Sequence, residues 1–449
     1  MRVLFIYTNI NVRAGNFGRY PAMQLGIASI SSLLIKHGHE TDLLLFTTTD
    51  YESEIRDKIS FFKPHLIAYT AVTTQFSYTV NIARYIHATY PDLFQVCGGP
   101  HTTLAKEEAI YSLPFDAICI GEGEFPMLEL VDKIQNNEDF TTIQNLYIKT
   151  MNGSILKNKT RPFIQQLDSL PFFDRNLYKH YVNLAKYPHS ILTTRGCYFN
   201  CSYCCNHIFK RVATGKYVRH RSIGNVMAEI DYLKRCYPNL SYLYIEDETI
   251  GQDLEFWDRL LPHLKKSGLN FGTNYRIGVT KLDFISRLRE SNFVKINIGI
   301  ESGNEFIRRD VLNRKYSNEQ IVETFSLSQK LGMITKSYNL IGLPHETPEM
   351  FEDTVRINKQ IQPDETMLNI FYPYPGTQLD KICDELELKS NDKDDYIKER
   401  TASILSLPEF PKNNIMYYFN NWHKLIKGTL YQTIIKIVKK RMYRIMYRI

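Results

Sequence analysis

Short runs of β-branched and aromatic residues alternate with stretches of helical periodicity along most of the chain, in two series, and this alternation restricts the fold more than any other feature. In the first series the strands are Val3 to Thr8, Glu40 to Phe46, His65 to Tyr69, Leu93 to Cys97 and Asp116 to Ile120. Between and after them, Met23 to His37, Tyr51 to Phe62, Phe76 to Thr89 and Pro126 to Ile134 read as helices; the first carries Leu25, Ile27, Ile30, Leu33 and Leu34 at helical spacing. Strands that alternate with helices lie parallel, because a parallel crossover needs room for a helix. Residues 1–140 therefore predict a doubly wound, Rossmann-like parallel sheet.

The second series begins at Ser190 to Thr194 and continues with strands at Tyr242 to Ile245, Asn270 to Arg276, Val294 to Ile300, Ile334 to Ile341 and Glu365 to Phe371. A helical stretch follows each of the first five strands, starting with Ile223 to Cys236. Six β/α repeats over 190–385 amount to three-quarters of a TIM-type barrel, a partial (β/α)6 barrel. Residues 141–189 carry a hairpin around Asn152-Gly153 and then a stretch rich in Pro, Asp and aromatics, expected to be an interdomain connection. Residues 386–449 are expected to form a small helical C-terminal region with a basic tail. With 449 residues, two or three domains are expected.

Four of the eight cysteines fall in one stretch, T-T-R-G-C-Y-F-N-C-S-Y-C-C-N-H, from Thr193 to His207. Cys197, Cys201 and Cys204 are spaced C-x3-C-x2-C on a loop just past a strand end, where α/β folds bind ligands. Three thiolates can hold three irons of a cubane [4Fe–4S] cluster and leave the fourth open to a ligand. The alternative is a structural zinc site completed by Cys205 or His207, although zinc sites usually take a second C-x2-C pair. Cys97, Cys119, Cys236 and Cys383 are dispersed and are expected to be buried. Clustering at one loop, rather than a disulfide framework, suits a reducing compartment.

Three strands of the first series end in polar or glycine-rich loops: Thr70 to Gln75, Gly98-Gly99-Pro100-His101 and Gly121-Glu122-Gly123-Glu124. Glycines there allow close backbone approach to a ligand. Three such loops on one sheet edge predict a binding site.

The cysteine loop resembles that of the radical S-adenosylmethionine (SAM) superfamily, C-x3-C-x2-C with an aromatic residue, here Tyr203, before the last cysteine. The runs I-G-I-E-S-G (Ile298 to Gly303), I-G-L-P-H-E-T (Ile341 to Thr347) and P-Y-P-G-T (Pro373 to Thr377) also recur in that superfamily. The first series resembles the cobalamin (B12)-binding domain that precedes the radical SAM domain in one large class, through Gly26-Ile27-Ala28 with Gly38-His39 and through the two glycine loops. The resemblance implies a [4Fe–4S] cluster on Cys197, Cys201 and Cys204, with SAM chelated at the open iron. It implies reductive cleavage of SAM to methionine and a 5′-deoxyadenosyl radical, followed by methyl transfer from cobalamin to a small-molecule or lipid substrate, or by an oxidative cyclisation or rearrangement without methyl transfer. SAM's ammonium would take Glu246 and Asp247, its ribose Glu301 and Asn274, its carboxylate Arg276, and its adenosine the chain at Gly299. Cobalamin would lie against Thr70, Thr73, Gly98, Gly99, His101, Gly121, Glu122 and Gly123. Two departures stand out. Glu246-Asp247-Glu248 replaces the common Gly-Gly-Glu, and the D-x-H-x-x-G motif of the mutases, whose His ligates cobalt, is missing.

The net charge is +7, concentrated in the C-terminal tail, and gives no nucleic-acid footprint. No apolar run is long enough to span a bilayer, and Met1 to Tyr7 reads as a buried strand rather than a signal peptide, so a cytoplasmic enzyme is expected. Its partners would be a small-molecule substrate and an external electron donor of flavodoxin or ferredoxin type. From Lys424 onward the tail has basic residues and apolar positions at helical spacing, which suits either peripheral membrane contact or a packed final helix. A zinc-stabilised binding protein is the non-enzymatic alternative.

Overall fold

The computed structural model describes residues 1–9, 23–46, 51–111, 114–150, 152–389 and 402–428. The polar loop expected between the first strand and the first helix, the charged stretch after Lys389 and the basic tail beyond Gly428 lie largely outside the described residues. The chain divides into two compact units, one of Met1–Tyr187, Ile208–Tyr217 and Tyr374–Gly376 and one of Pro188–His207, Val218–Pro373 and Thr377–Ile449.

The first unit is built on a seven-stranded sheet. Its strands are β1 (Arg2–Thr8), β2 (Glu40–Phe46), β3 (Leu66–Thr70), β4 (Phe94–Gly98), β5 (Ala117–Cys119), β6 (Leu146–Lys149) and β7 (Ile155–Lys157), in the order β2-β1-β3-β4-β5-β6-β7. β1 to β5 are mutually parallel, and β6 and β7 add on as an antiparallel hairpin. Two apolar layers sandwich the sheet, as the near-continuous apolar strands require. Ile27, Leu34, Leu130 and Val131 cover one face, and Ile55, Val80, Ile86 and Ile110 the other. The segment 141–189 is thus no free connection. Its hairpin extends the first sheet, because Leu146 and Ile148 are buried against β5. Its aromatics Phe173, Tyr178 and Tyr181 pack on the same core.

The second unit holds β8 (Ser190–Ile191), a short antiparallel pair β9 (Thr194–Arg195) and β10 (Arg219–His220), and then β11 (Tyr242–Ile245), β12 (Asn270–Tyr275), β13 (Phe293–Glu301), β14 (Ile334–Ile341) and β15 (Glu365–Ile370). β8 and β11 to β15 form a parallel six-stranded sheet in simple chain order, the arrangement of a partial barrel. Side-chain caps fix where its helices begin, at the edge where the strands end. Ser222, Asp253, Ser317, Thr347 and Thr377 each accept a backbone N–H of the first helical turn. Helix Lys412–Lys427 buries Ile415, Trp422 and Ile426, so the described part of the C-terminal region packs within this unit. Among the described residues no helix is long and apolar enough to cross a membrane.

One of the dispersed cysteines departs from expectation. Cys97, Cys119 and Cys383 are buried, but Cys236 is exposed. It ends helix Ile223–Cys236, whose buried stripe of Val226, Ile230 and Leu233 continues at Tyr237.

Two residues at strand ends generate tests. Gly99 has φ +102°, and a Cβ there would lie 2.7 Å from Thr70 Oγ1 and 2.9 Å from both Ala71 N and Ala71 O. Gly99→Ala is expected to destabilise the protein by about 1–3 kcal/mol, read as a lowered unfolding midpoint; an unchanged midpoint would contradict this packing. Glu346, after β14, is buried; its Oε2 accepts Gly342 N at 2.7 Å and Leu343 N at 3.2 Å, while Oε1 has no partner. Burial pushes its carboxyl up to about 8, against the pull of the two backbone donors. The folded state thus holds this proton more tightly than the unfolded chain does, so Glu346 favours folding below the ordinary Glu range, and that contribution is lost as pH rises through about 8. Glu346→Gln keeps the carbonyl acceptor without the titration, so its unfolding midpoint is expected to fall less than wild type between about pH 5 and about pH 9. Parallel pH profiles would sink this account.

Candidate functional site

The cysteine loop leaves β8 and is tied down at four places. At its start, Asp247 is fully buried. One carboxylate oxygen accepts Thr193 N at 2.8 Å and Thr194 N at 3.1 Å, and the other accepts both threonine hydroxyls. Burial pushes this carboxyl up, and the four donors oppose the shift. Next, Gln252 clamps the turn, accepting Tyr198 N at 2.7 Å and donating to Gly196 O at 3.3 Å. Further along, Ser202 bonds the Val311 and Leu312 carbonyls, and Asn313 donates to Asn200 O at 2.9 Å. Finally, Tyr203 donates its hydroxyl to Glu301 Oε1 at 2.9 Å and accepts Arg314 Nη1 at 2.8 Å.

All three thiols of the triplet are free; Cys201 is buried and Cys197 and Cys204 are half-buried. Burial pushes the Cys197 thiol up to about 11 and the Cys204 thiol up to about 12, so thiolates here call for strong positive charge, which iron supplies. Among the described residues no three His, Cys, Asp or Glu side chains are grouped around a point that could hold a single metal ion. A cubane asks for something else, one thiolate per iron, and three cysteines spread along one anchored loop fit that demand. Cys205, outside the triplet, is half-buried.

The predicted SAM residues do gather at this edge, but their side chains differ in availability. Glu246 is open to solvent; crowding by protein raises its carboxyl, with Asp247 and Glu248 adding to the effect. Asp247 is already saturated by the two threonines, so it positions the loop and has no carboxylate oxygen free for SAM's ammonium. Glu248 accepts Asn206 Nδ2 at 3.0 Å, and the same amide nitrogen lies 3.5 Å from Cys204 Sγ. Asn274 is held between the Tyr244 hydroxyl at 2.6 Å and Asp247 O at 3.3 Å. Arg276 reaches Cys201 Sγ with Nη1 at 2.8 Å, so it points at the cysteine loop instead of standing free for a carboxylate.

Glu301 is buried in a left-handed backbone conformation, φ +64°, at an irregularity in β13. Its carboxylate folds back over Gly299, where an added Cβ would meet Glu301 Oε1 at 2.5 Å. Arg314 pairs with it at 3.1 Å and donates to Gly299 O at 2.9 Å. The Tyr316 hydroxyl accepts Arg314 Nε and donates toward Gly299 O. Arg314 and Tyr316 were not foreseen in the sequence; the only signal there is their place shortly after the I-G-I-E-S-G run.

In the first unit, Thr70, Thr73, Gly98, Gly99, Gly121, Glu122 and Gly123 are all half-buried at the C-terminal ends of β3, β4 and β5. The loops brace one another: Thr103 Oγ1 accepts Gly121 N at 3.0 Å, and Ala71 O accepts His101 N at 3.0 Å. Two expected ligand contacts are turned elsewhere. His101 is buried and packs at a tilt against Phe76, with ring centroids 4.0 Å apart, and desolvation lowers its imidazole to about 4; it is an inward-facing core histidine. Glu122 accepts Ile164 N at 2.7 Å. The remaining row of glycine and threonine positions is a backbone-rich edge, which fits a large amide-bearing ligand better than a small charged one.

Residues 191–357 match the family model of the radical SAM superfamily, and residues 18–131 match that of the B12 binding domain. The chain is 26% identical over 365 residues to an uncharacterized methyltransferase of Pyrococcus horikoshii, covering 79% of this chain and 77% of that protein. It is also 26% identical over 418 residues to the anaerobic magnesium-protoporphyrin IX monomethyl ester cyclase of Rubrivivax gelatinosus, covering 88% and 73%. Among solved structures, the radical SAM methyltransferase TsrM from Kitasatospora setae, with cobalamin and a [4Fe–4S] cluster bound, superposes with TM-score 0.68 at 17% identity over 87% of this chain and 76% of that one. The cobalamin-dependent SAM radical enzyme OxsB follows with TM-score 0.64 at 16% identity, over 98% and 61%. At such identities these structures speak to the fold, and they share both of its halves. With the anchored C-x3-C-x2-C loop on a partial barrel and a parallel sheet whose glycine loops share one edge, the chain is an enzyme of the radical SAM superfamily with an N-terminal B12-binding domain.

Proposed function

We propose that the protein is a cobalamin-dependent radical SAM C-methyltransferase acting on a small-molecule or lipid substrate. The observation that carries this reading is the cysteine triplet, held by four separate anchors at the strand-end edge of a partial six-stranded barrel, in one chain with a B12-binding domain. A [4Fe–4S] cluster on Cys197, Cys201 and Cys204 supplies one electron and an open iron for SAM, and cobalamin supplies a transferable methyl group.

The chain's own residues bind and orient. Glu246, open to solvent and unencumbered by threonines, offers a carboxylate to SAM's ammonium. Asp247 holds the loop from below. Tyr203, pinned by Glu301 and Arg314, fixes the aromatic ring beside Cys204. The Gly299 backbone, its carbonyl held by Arg314 and Tyr316 and its face covered by the Glu301 carboxylate, fixes the stretch of chain beside which the adenosine would lie. Thr70, Thr73, Gly98, Gly99 and Gly121 line the cobalamin edge. The electron comes from an external donor of flavodoxin or ferredoxin type. The similarity to a methyltransferase supports methyl transfer. The longer match to a cyclase favours a second reading, an oxidative cyclisation or rearrangement on the same machinery without methyl transfer.

The test is the metal and sulfide content of protein purified without oxygen, followed by product analysis. Iron with acid-labile sulfide and cobalt, and a product heavier by a methyl group, are expected. Cluster without a methylated product would favour the second reading. Zinc without iron after attempted reconstitution would overturn both and leave the zinc-stabilised binding protein. Cys201→Ala is expected to abolish cluster assembly and SAM cleavage, whereas Cys205→Ala retains both; full SAM cleavage by Cys201→Ala would remove the cluster assignment.

A further inference from the structure

Arg276 sits at the end of β12 in surroundings built for one interaction. Its side chain is buried. Its backbone N–H is held by Thr249 Oγ1 at 3.0 Å, and its guanidinium lies on the face of Phe199 at 4.1 Å. From that seat Nη1 comes within 2.8 Å of Cys201 Sγ. Phe199 itself belongs to the cysteine loop, so a single arginine contacts the loop twice, once through a ring face and once through a sulfur. The neutral amide of Asn206, by contrast, stands 3.5 Å from Cys204 Sγ.

We propose that Arg276 is a positioning residue that sets the reduction potential of the cluster by donating a charge-assisted N–H···S hydrogen bond to the Cys201 thiolate. The proposal rests on the cluster reading above. The guanidinium brings a positive charge on a rigid, planar fork of donors. Reduction adds one electron, taken from the low-potential donor, to a cluster whose charge is already shared with its three thiolates; no bond in the protein forms or breaks. A buried cation beside one of those sulfurs stabilises the reduced state more than the oxidised one, and hydrogen bonds to cluster sulfurs are an established lever on potential. Burial and the Phe199 face keep water and salt from screening the effect. The geometry also explains why a cation predicted for a SAM carboxylate is found at a sulfur: the aromatic seat fixes the guanidinium plane toward the loop.

The experiment is a redox titration of the reconstituted holoprotein without SAM, followed by electron paramagnetic resonance, on wild type, Arg276→Gln and Arg276→Lys, with iron and sulfide assayed in each. Arg276→Gln, with its full iron and sulfide, is expected to be about tenfold harder to reduce, a midpoint about 59 mV lower for one electron. Arg276→Lys, which keeps the charge, is expected to fall between the two. A fully loaded Arg276→Gln protein with the wild-type midpoint overturns the proposal and leaves the cluster reading intact. Should Arg276→Gln fail to load, pulsed resonance on reduced wild type carrying guanidinium-labelled arginine decides: a nitrogen coupling to the cluster supports the contact, and its absence overturns it. A wild-type protein that binds zinc and no iron–sulfur cluster removes both readings together.

Discussion

Asp247 accepts four hydrogen bonds from two consecutive residues, Thr193 and Thr194, and the rest of the site is hung from that contact. An ionised carboxylate taken out of water without partners costs several kcal/mol. Here the backbone and both hydroxyls of the two threonines repay it, so the strand β8 and the end of β11 cannot separate without exposing an unpaired charge. The chain must then turn at Arg195-Gly196, with Gly196 at φ +95°, and every cysteine position downstream is measured from this fixed point. Gln252, Ser202 and Tyr203 each fix a later point, so the loop is held along its length rather than at its ends. A loop held that way keeps its three sulfurs at fixed places along the chain, the preorganisation that the proposed cluster would need.

The parts legible in the sequence are those set by periodicity and by covalent spacing. The parallel sheet of the first unit and the six-strand sheet of the second could be read because fully buried strands are near-continuous apolar runs, and because cysteine spacing needs no tertiary knowledge. What could not be read is which face a polar side chain takes. Glu246, Asp247 and Glu248 look interchangeable in a row of acids, yet alternation along the strand end exposes the first and third and buries the second. The hairpin at Asn152-Gly153 was visible, but nothing local says that its partner is β5, so residues 141–189 looked like a connection. Glu122 and His101 looked like ligand contacts because they sit among glycines. Their actual partners, Ile164 N and Phe76, are 42 and 25 residues away in sequence. The tie from Arg314 to Tyr203 spans 111 residues and leaves no trace in spacing.

The acidic residues of the second unit show how burial sorts structural groups from binding groups. Asp247 answers burial with four donors, Glu301 with the guanidinium of Arg314 and the hydroxyl of Tyr203, and Glu346 with two backbone N–H groups and a retained proton. In each, the oxygen that holds the loop is committed to it, and at Asp247 both are filled, so that carboxylate has nothing left to offer a ligand without first giving up what holds its own loop. Glu246 is the exception at this edge. It remains open to solvent although its neighbours crowd it, and its carboxyl is raised without being tied to a threonine or an arginine. A carboxylate in that condition gains when a cation arrives, since the incoming charge relieves both its desolvation and the repulsion from Asp247 and Glu248. The three acids after β11 therefore divide their labour by geometry. The middle one builds the loop, the third reaches Cys204 through Asn206, and the first stays open to solvent with its carboxylate uncommitted.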